Sequence, residues 1–112
     1  MQVESYKLPT WSTEDRRSRY VYFIQETIGR HAPIKIGVAI NVQQRLKDLQ
    51  TSNPRQLEIY TVLGPMIKMQ AFDVEKRLHH KFRRHHIRGE WFSGVIKQQF
   101  SELSENSYIE VP

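Results

Sequence analysis

The chain has no cysteine, so disulfides and thiolate metal sites are excluded. A reducing intracellular compartment, the cytoplasm, is compatible with that absence and is the expected location. No apolar run approaches the roughly 20 residues that a membrane span needs, so no membrane-embedded role is expected. The first residues are polar and carry Glu4, Glu14 and Asp15, unlike a signal peptide. Internal repeats and low-complexity tracts are absent. Acidic residues are in short supply: 12 against 17 Lys and Arg, a net charge of +5. That balance favours a polyanionic partner (DNA, RNA or an anionic surface), with a merely solubilising excess as the plain alternative. The distribution separates the two. Residues 66–90 hold Lys68, Lys76, Arg77, Lys81, Arg83, Arg84 and Arg88 against Asp73, Glu75 and Glu90, together with four of the five histidines. The basicity is local.

What is present is enough for one domain. There are 112 residues, of which 11% are aromatic. Residues 1–19 show no sustained periodicity and read as an arm, in which Trp11 offers one aromatic and Ser12 or Thr13 a turn cap. Residues 20–25 are aromatic and β-branched, a strand with Tyr20, Tyr22 and Ile24 on one face and Val21 and Phe23 on the other. A loop containing Gly29 and Pro33 leads to a second strand, 34–38. There Ile34, Ile36 and Val38 oppose Lys35 and Gly37. The short connection implies an antiparallel hairpin.

Asn41 caps a helix over 42–50 whose buried stripe is Val42, Leu46 and Leu49. At about 100° per residue Arg45 lies about 60° from Val42, at the edge of that stripe and directed toward the sheet. Residues 57–63 alternate as a third strand, closed by Gly64-Pro65. A longer helix to about His85 buries Ala71, Val74, Leu78 and Phe82, with Glu75 and His79 as an i, i+4 pair on its flank. After Gly89 comes the compact Glu90-Trp91-Phe92-Ser93. A last amphipathic helix over about 94–105 presents Val95, Ile96, Phe100 and Leu103, and the tail 108–112 is a strand or a loose end. The expected fold is α/β: a small three-stranded antiparallel sheet flanked by helices, in the order β-β-α-β-α-α. Residues 1–19 form the arm, 20–93 the domain, and 94–112 a helix and tail packed on it.

Tyr20-Val21-Tyr22, Lys35-Ile36-Gly37, Arg45 eight residues after Gly37, and Glu75 on the later helix resemble the GIY-YIG nuclease superfamily. Tyr22 matches the tyrosine of its first motif, and Lys35-Ile36-Gly37 stands where its second motif does. The KIG variant, Glu75-x-x-x-His79-x-x-Phe82 and Gly89-Glu90-Trp91-Phe92 are similar to a phage and meiotically-up-regulated-gene branch of that superfamily. The resemblance covers about residues 20–92. Two positions depart from the family pattern. Lys35 replaces the second tyrosine, and the late asparagine has no clear counterpart, Glu90 and Ser93 lying nearest its place.

The resemblance implies an endonuclease acting on DNA, RNA not excluded, with Mg²⁺ as cofactor and Mn²⁺ as substitute. Tyr22 is then the general base, with Lys35 as the cation that makes a phenol of pKa near 10 useful at neutral pH. Arg45 clamps the phosphate through its fork of donors; its plainer reading is a helix-edge arginine paired with Asp48 or Glu58. Glu75 is expected to hold the metal, with the rest of the shell from water and phosphate; otherwise it is a surface partner of His79. His79 orients Glu75 or a water. His80, His85 and His86 are not expected to form a zinc site, since neighbouring helical residues point about 100° apart and no thiolate completes the set. Lys76, Lys81, Arg83 and Arg84 are expected to contact phosphates without reading sequence. Gly37, Glu90, Trp91 and Phe92 are expected to support the site structurally, Trp91 and Phe92 by covering the helix end and the core and Glu90 by bonding Arg45 or Lys35. The chain is expected to be a monomer or weak homodimer, with specificity possible through a partner protein. The rival reading is an inactive nucleic-acid-binding module of the same fold, motivated by the two departures.

Overall fold

The computed structural model describes residues 15–100. Arg19–Glu26 form β1, Ile34–Ala39 β2, Val42–Thr51 helix α1, Leu57–Met66 β3, and Lys68–Lys81 helix α2. Short strands β4 (His86–Arg88) and β5 (Trp91–Phe92) follow, with 3-10 turns at Arg83–His85 and Gly94–Gln99. The strand order is β3-β1-β2-β5-β4, and every pairing is antiparallel. No helix among the described residues is long and apolar enough to cross a membrane.

β1 is paired on both edges and packed by a helix on each face, so its residues read as a nearly unbroken apolar run. On one face Val21, Phe23, Ile34 and Ile36 meet Ala71, Val74, Leu78 and Phe82, together with Phe92, Ile96 and Phe100. On the other, Tyr22 and Ile24 meet Val42, Leu57 and Val62, with Leu46 and Leu49 of α1 packed against them. The alternation expected within β1 and β2 is therefore the division between two cores, one under each helix. The Asn41 side chain accepts from the Gln44 N–H at 2.9 Å, the expected N-cap. At the start of β1, Arg19 is 7% exposed and donates to Asp15 at 2.7 Å, and Lys68 lies 3.3 Å from the same carboxylate oxygen. This network ties the entry of β1 to the first turn of α2.

Several expectations are corrected. The sheet has five strands, not three, because Glu90-Trp91-Phe92 is not merely a compact turn: Trp91 and Phe92 pair with Lys35 and Ile34. β3 does not stop before Gly64-Pro65 but runs through them to Met66, accommodated by a register shift between Arg19 and Val21. α2 ends at Lys81, and a 3-10 turn replaces its expected last residues. The expected amphipathic helix begins as a 3-10 turn from Gly94 to Gln99, yet Ile96 and Phe100 still enter the core. β1 begins at Arg19, one residue before the expected strand, and that residue already pairs with Met66. The expectations for Trp11, Ser12 and Thr13, for Leu103, and for the tail 108–112 lie outside the described residues.

Candidate active site

The site forms where β2 extends beyond β5. β5 covers only Ile34 and Lys35 of β2. At Ile36 the strand is instead held by two other partners: its N–H donates to the Glu90 carbonyl at 3.0 Å, and its carbonyl accepts from His79 Nε2 at 3.0 Å. α2 thus reaches round the open edge of β2 from the face opposite Tyr22. That detour brings Glu75 and His79 to the side of the sheet where Tyr22 and Lys35 stand.

Gly37 makes the meeting possible. Tyr22 is its cross-strand partner. A Cβ at position 37 would overlap the Tyr22 hydroxyl and stand 2.9 Å from Glu90 Oε1. The missing side chain is the space that the phenol and a carboxylate share. Tyr22 is 1% exposed. Its hydroxyl accepts from Arg45 Nε at 3.4 Å, so Arg45 does turn toward the sheet as its helix position requires. Neither alternative partner takes it into an ion pair. Asp48 is bonded by Gln44 at 3.0 Å, and Glu58 by Gln25 at 2.6 Å.

Lys35 meets Glu90, one of the two contacts expected for that carboxylate, and not the Tyr22 phenol. Its Nζ lies 3.3 Å from Glu90 Oε1 and 5.5 Å from the centre of the Trp91 ring. The cation on the Tyr22 phenol is Arg45. Burial pushes the Tyr22 pKa above its ordinary value; Arg45 opposes this, and the charges of Glu90 and Glu75 add to it.

Glu75 is the most perturbed group. Burial first, then hydrogen-bonding contact with the Glu90 carboxyl and its charge, push its pKa up to about 7, against the pull of Lys35. His79 Nε2 stands 3.7 Å from Glu75 Oε2. Since the Ile36 carbonyl can only accept, Nε2 carries the ring proton, and His79 holds the helix flank to β2. Phe92 packs its ring against His79 at 4.9 Å, which makes it a support for that histidine.

Glu90 is the residue that sequence reasoning underrated. It touches Lys35 and Glu75 and borders the Gly37 gap beneath Tyr22. The signal was a carboxylate near the place of the unmatched asparagine. Lys76, Lys81, Arg83 and Arg84 are all exposed, on or just after the helix that carries Glu75. Arg83 also donates to the His80 carbonyl at 2.8 Å, closing the end of α2. His86 Nε2 pairs with the Gly89 carbonyl at 2.8 Å. Among the described residues no three His, Asp or Glu side chains converge as a metal cluster.

The T5orf172 domain family matches residues 19–106, from the first residue of β1 to beyond the second 3-10 turn. The chain belongs to the T5orf172 domain family. T5orf172 domains are of a GIY-YIG-like phage type and nuclease-like in kind, and the family is associated with nuclease activity. No curated protein and no solved structure matches the chain. The T5orf172 match spans every residue of the cluster around Gly37.

Proposed function

We propose that this T5orf172 domain is a metal-dependent endonuclease that hydrolyses DNA phosphodiester bonds, leaving 5′-phosphate and 3′-hydroxyl ends. The observation that supports this reading is a chain of contacts meeting at Gly37: Arg45 on the Tyr22 phenol from one side, and Lys35 and Glu75 on the Glu90 carboxylate from the other. A nucleophile-activating group, a bidentate cation and a carboxylate pair at one open sheet edge suit phosphoryl transfer to water.

The donors fit a hard divalent cation. Glu75 and Glu90 offer adjacent carboxylate oxygens beside a gap that a Cβ would fill. Two carboxylates plus water and phosphate oxygens are the ligand set that Mg²⁺ or Mn²⁺ accepts, and Glu75 and Glu90 would hold the ion. Such an ion supplies polarisation of the phosphoryl oxygen and stabilisation of the leaving 3′-oxygen. Arg45 grips the non-bridging phosphate oxygens and keeps contact with the phenol. Tyr22 takes the proton of the attacking water. Burial is the main reason the phenol holds its proton; the charges of Glu90 and Glu75 add to it, and a cation held by those two carboxylates would offset that smaller part. Lys35 holds Glu90 in place and counters the negative charge of the pair. His79 orients Glu75. Lys76, Lys81, Arg83 and Arg84 hold the backbone of the nucleic acid without reading sequence.

Nicking of labelled DNA with Mg²⁺ or Mn²⁺ tests the proposal. Tyr22→Phe, Arg45→Ala and Glu75→Ala are each expected to abolish it, and undiminished cutting by Glu75→Ala protein would sink the metal assignment. A second reading, an inactive nucleic-acid-binding module, is favoured by one observation: Lys35 pairs with Glu90 and leaves the Tyr22 phenol raised in pKa. That reading expects salt-sensitive binding and no cleavage with any divalent metal.

A further inference from the structure

A second concavity lies beside the phosphate-binding cluster. It has a volume of about 330 Å³ and is lined by Tyr20, Ile40, Val42, Ile59 and Val62, with Asn41 and Gln43 from the first residues of α1. Pockets that take small planar ligands start near ~300 Å³, are mostly apolar, and carry a few polar groups that fix orientation. This one has that character: four aliphatic residues, one aromatic ring, two amides and no charged lining residue.

We propose that this cavity receives the base of an unpaired nucleotide, so that the substrate is single-stranded or carries an unpaired base beside the phosphate held by Arg45. Three observations support it. The first is continuity with the cluster. Tyr20 precedes Tyr22 by two residues on the same face of β1, a step of about 6.6 Å along the strand. Val42 precedes Arg45 by three residues of α1, about 4.5 Å along the helix. A chain whose phosphate rests on Arg45 therefore has the cavity within a nucleotide's reach.

The second is that the ring is already set. Gly64 has φ +135°, and a Cβ there would stand 3.0 Å from Tyr20 Cδ2. The shift of register between Arg19 and Val21 falls at the same place. Tyr20 is thus packed against strand backbone and also lines the cavity, a stacking wall of the kind that single-strand binders use.

The third is polarity. The Asn41 Oδ1 is committed to the Gln44 N–H, which leaves its amide nitrogen to serve as a donor. Gln43 adds a second amide. Asn and Gln amides match the donor and acceptor edges of bases. The first turn of α1 holds no acidic residue, so nothing there repels a polyanion. A base within an intact duplex remains stacked and paired and cannot enter; an unpaired one enters at little cost.

The placement beside the cut phosphate rests on the nuclease reading of Tyr22 and Arg45, whereas capture of a base does not. The test accordingly uses the full chain with a chelator, so that nothing is cut. Oligonucleotides carry one 2-aminopurine in single-stranded, fully paired or single-base-bulge form. Anisotropy gives affinity and 2-aminopurine emission reports stacking. Quenching is expected with the single strand and the bulge, and not with the paired duplex. Tyr20→Ala is expected to weaken single-strand binding about tenfold and remove the quenching, with paired-duplex binding within twofold of wild type. Ile40→Trp, at a position 38% exposed, fills the rim without opening the core and is expected to act alike with an unchanged melting temperature, which keeps the test open if Tyr20→Ala does not fold. Wild-type protein that quenches paired and unpaired probes equally overturns the proposal. So does single-strand affinity left intact in Ile40→Trp. Absence of nicking in a separate assay touches only the nuclease reading.

Discussion

Glu75→Gln should make this protein more stable at alkaline pH, and the gain should vanish in acid. The carboxyl of Glu75 has an ordinary pKa of 4.5 and is pushed up to about 7 in the fold by burial and by Glu90. Between those values the folded chain keeps a proton that the unfolded chain has released. Stability therefore falls as pH rises from about 4.5 to about 7, the reverse of a salt-bridged carboxylate. At about 1.4 kcal/mol per pH unit, the gap corresponds to roughly 3 kcal/mol. The side chain is 15% exposed, and residual solvation trims the figure toward about 2 kcal/mol. Glutamine keeps the shape and carries no titrating proton. Urea unfolding followed by tryptophan fluorescence, with chelator present and at half-unit steps from pH 4 to pH 8.5, measures the difference directly. The two proteins should coincide near pH 4 and diverge through pH 7, with the variant more stable above it. Parallel profiles would refute the reasoning, because they would mean that Glu75 titrates normally and that its contact with Glu90 is not made in solution.

Gly37→Ala places a methyl against the Tyr22 hydroxyl and Glu90 Oε1, so it should destabilise by about 1–3 kcal/mol, as overpacking does, with loss of nicking beyond that expected from stability alone; denaturant midpoints and cleavage rates on the same preparations check this. Charge removal at Lys76 or Arg84 should weaken DNA binding uniformly across sequences and lower the slope of log K against log salt by about 1 per residue, read by anisotropy titrations at several salt concentrations. Asp15 has its carboxyl held at about 2 by its hydrogen bond to Arg19, aided by Lys68. Its contribution to stability should be complete above the ordinary value of 3.8 and lost only as pH falls through about 2, so Asp15→Asn should be less stable than wild type at neutral pH and indistinguishable from it in strong acid.

The amino-acid sequence determined the parts whose signals are local. The two-residue alternation of Tyr20 to Ile24 and of Ile34 to Val38 sorted their side chains onto the correct faces, because pleating alone sets that period. Asn41 and the Val42, Leu46, Leu49 stripe fixed α1 and, through its 3.6-residue turn, the inward direction of Arg45. β4 and β5 were not legible in this way. Strands of three and two residues are too short to show a period, and they exist because β2 offers β5 a partner edge and β5 in turn pairs with β4.

The same limit applies to the site. That Lys35 would choose Glu90 over Tyr22, that Arg45 would occupy the phenol, and that Glu75 and Glu90 would crowd each other's charge depend on which side chains share one small volume. Those residues are far apart along the chain: the pairing of β5 with β2 brings Glu90 to Lys35, the packing of α1 on the sheet brings Arg45 to Tyr22, and α2, bonded through His79 to the edge of β2, brings Glu75. Electrostatic perturbation follows distance and burial, and neither is a property of residue type or spacing. Sequence named the chemical groups; tertiary packing decided which of them touch, and hence which protons they hold.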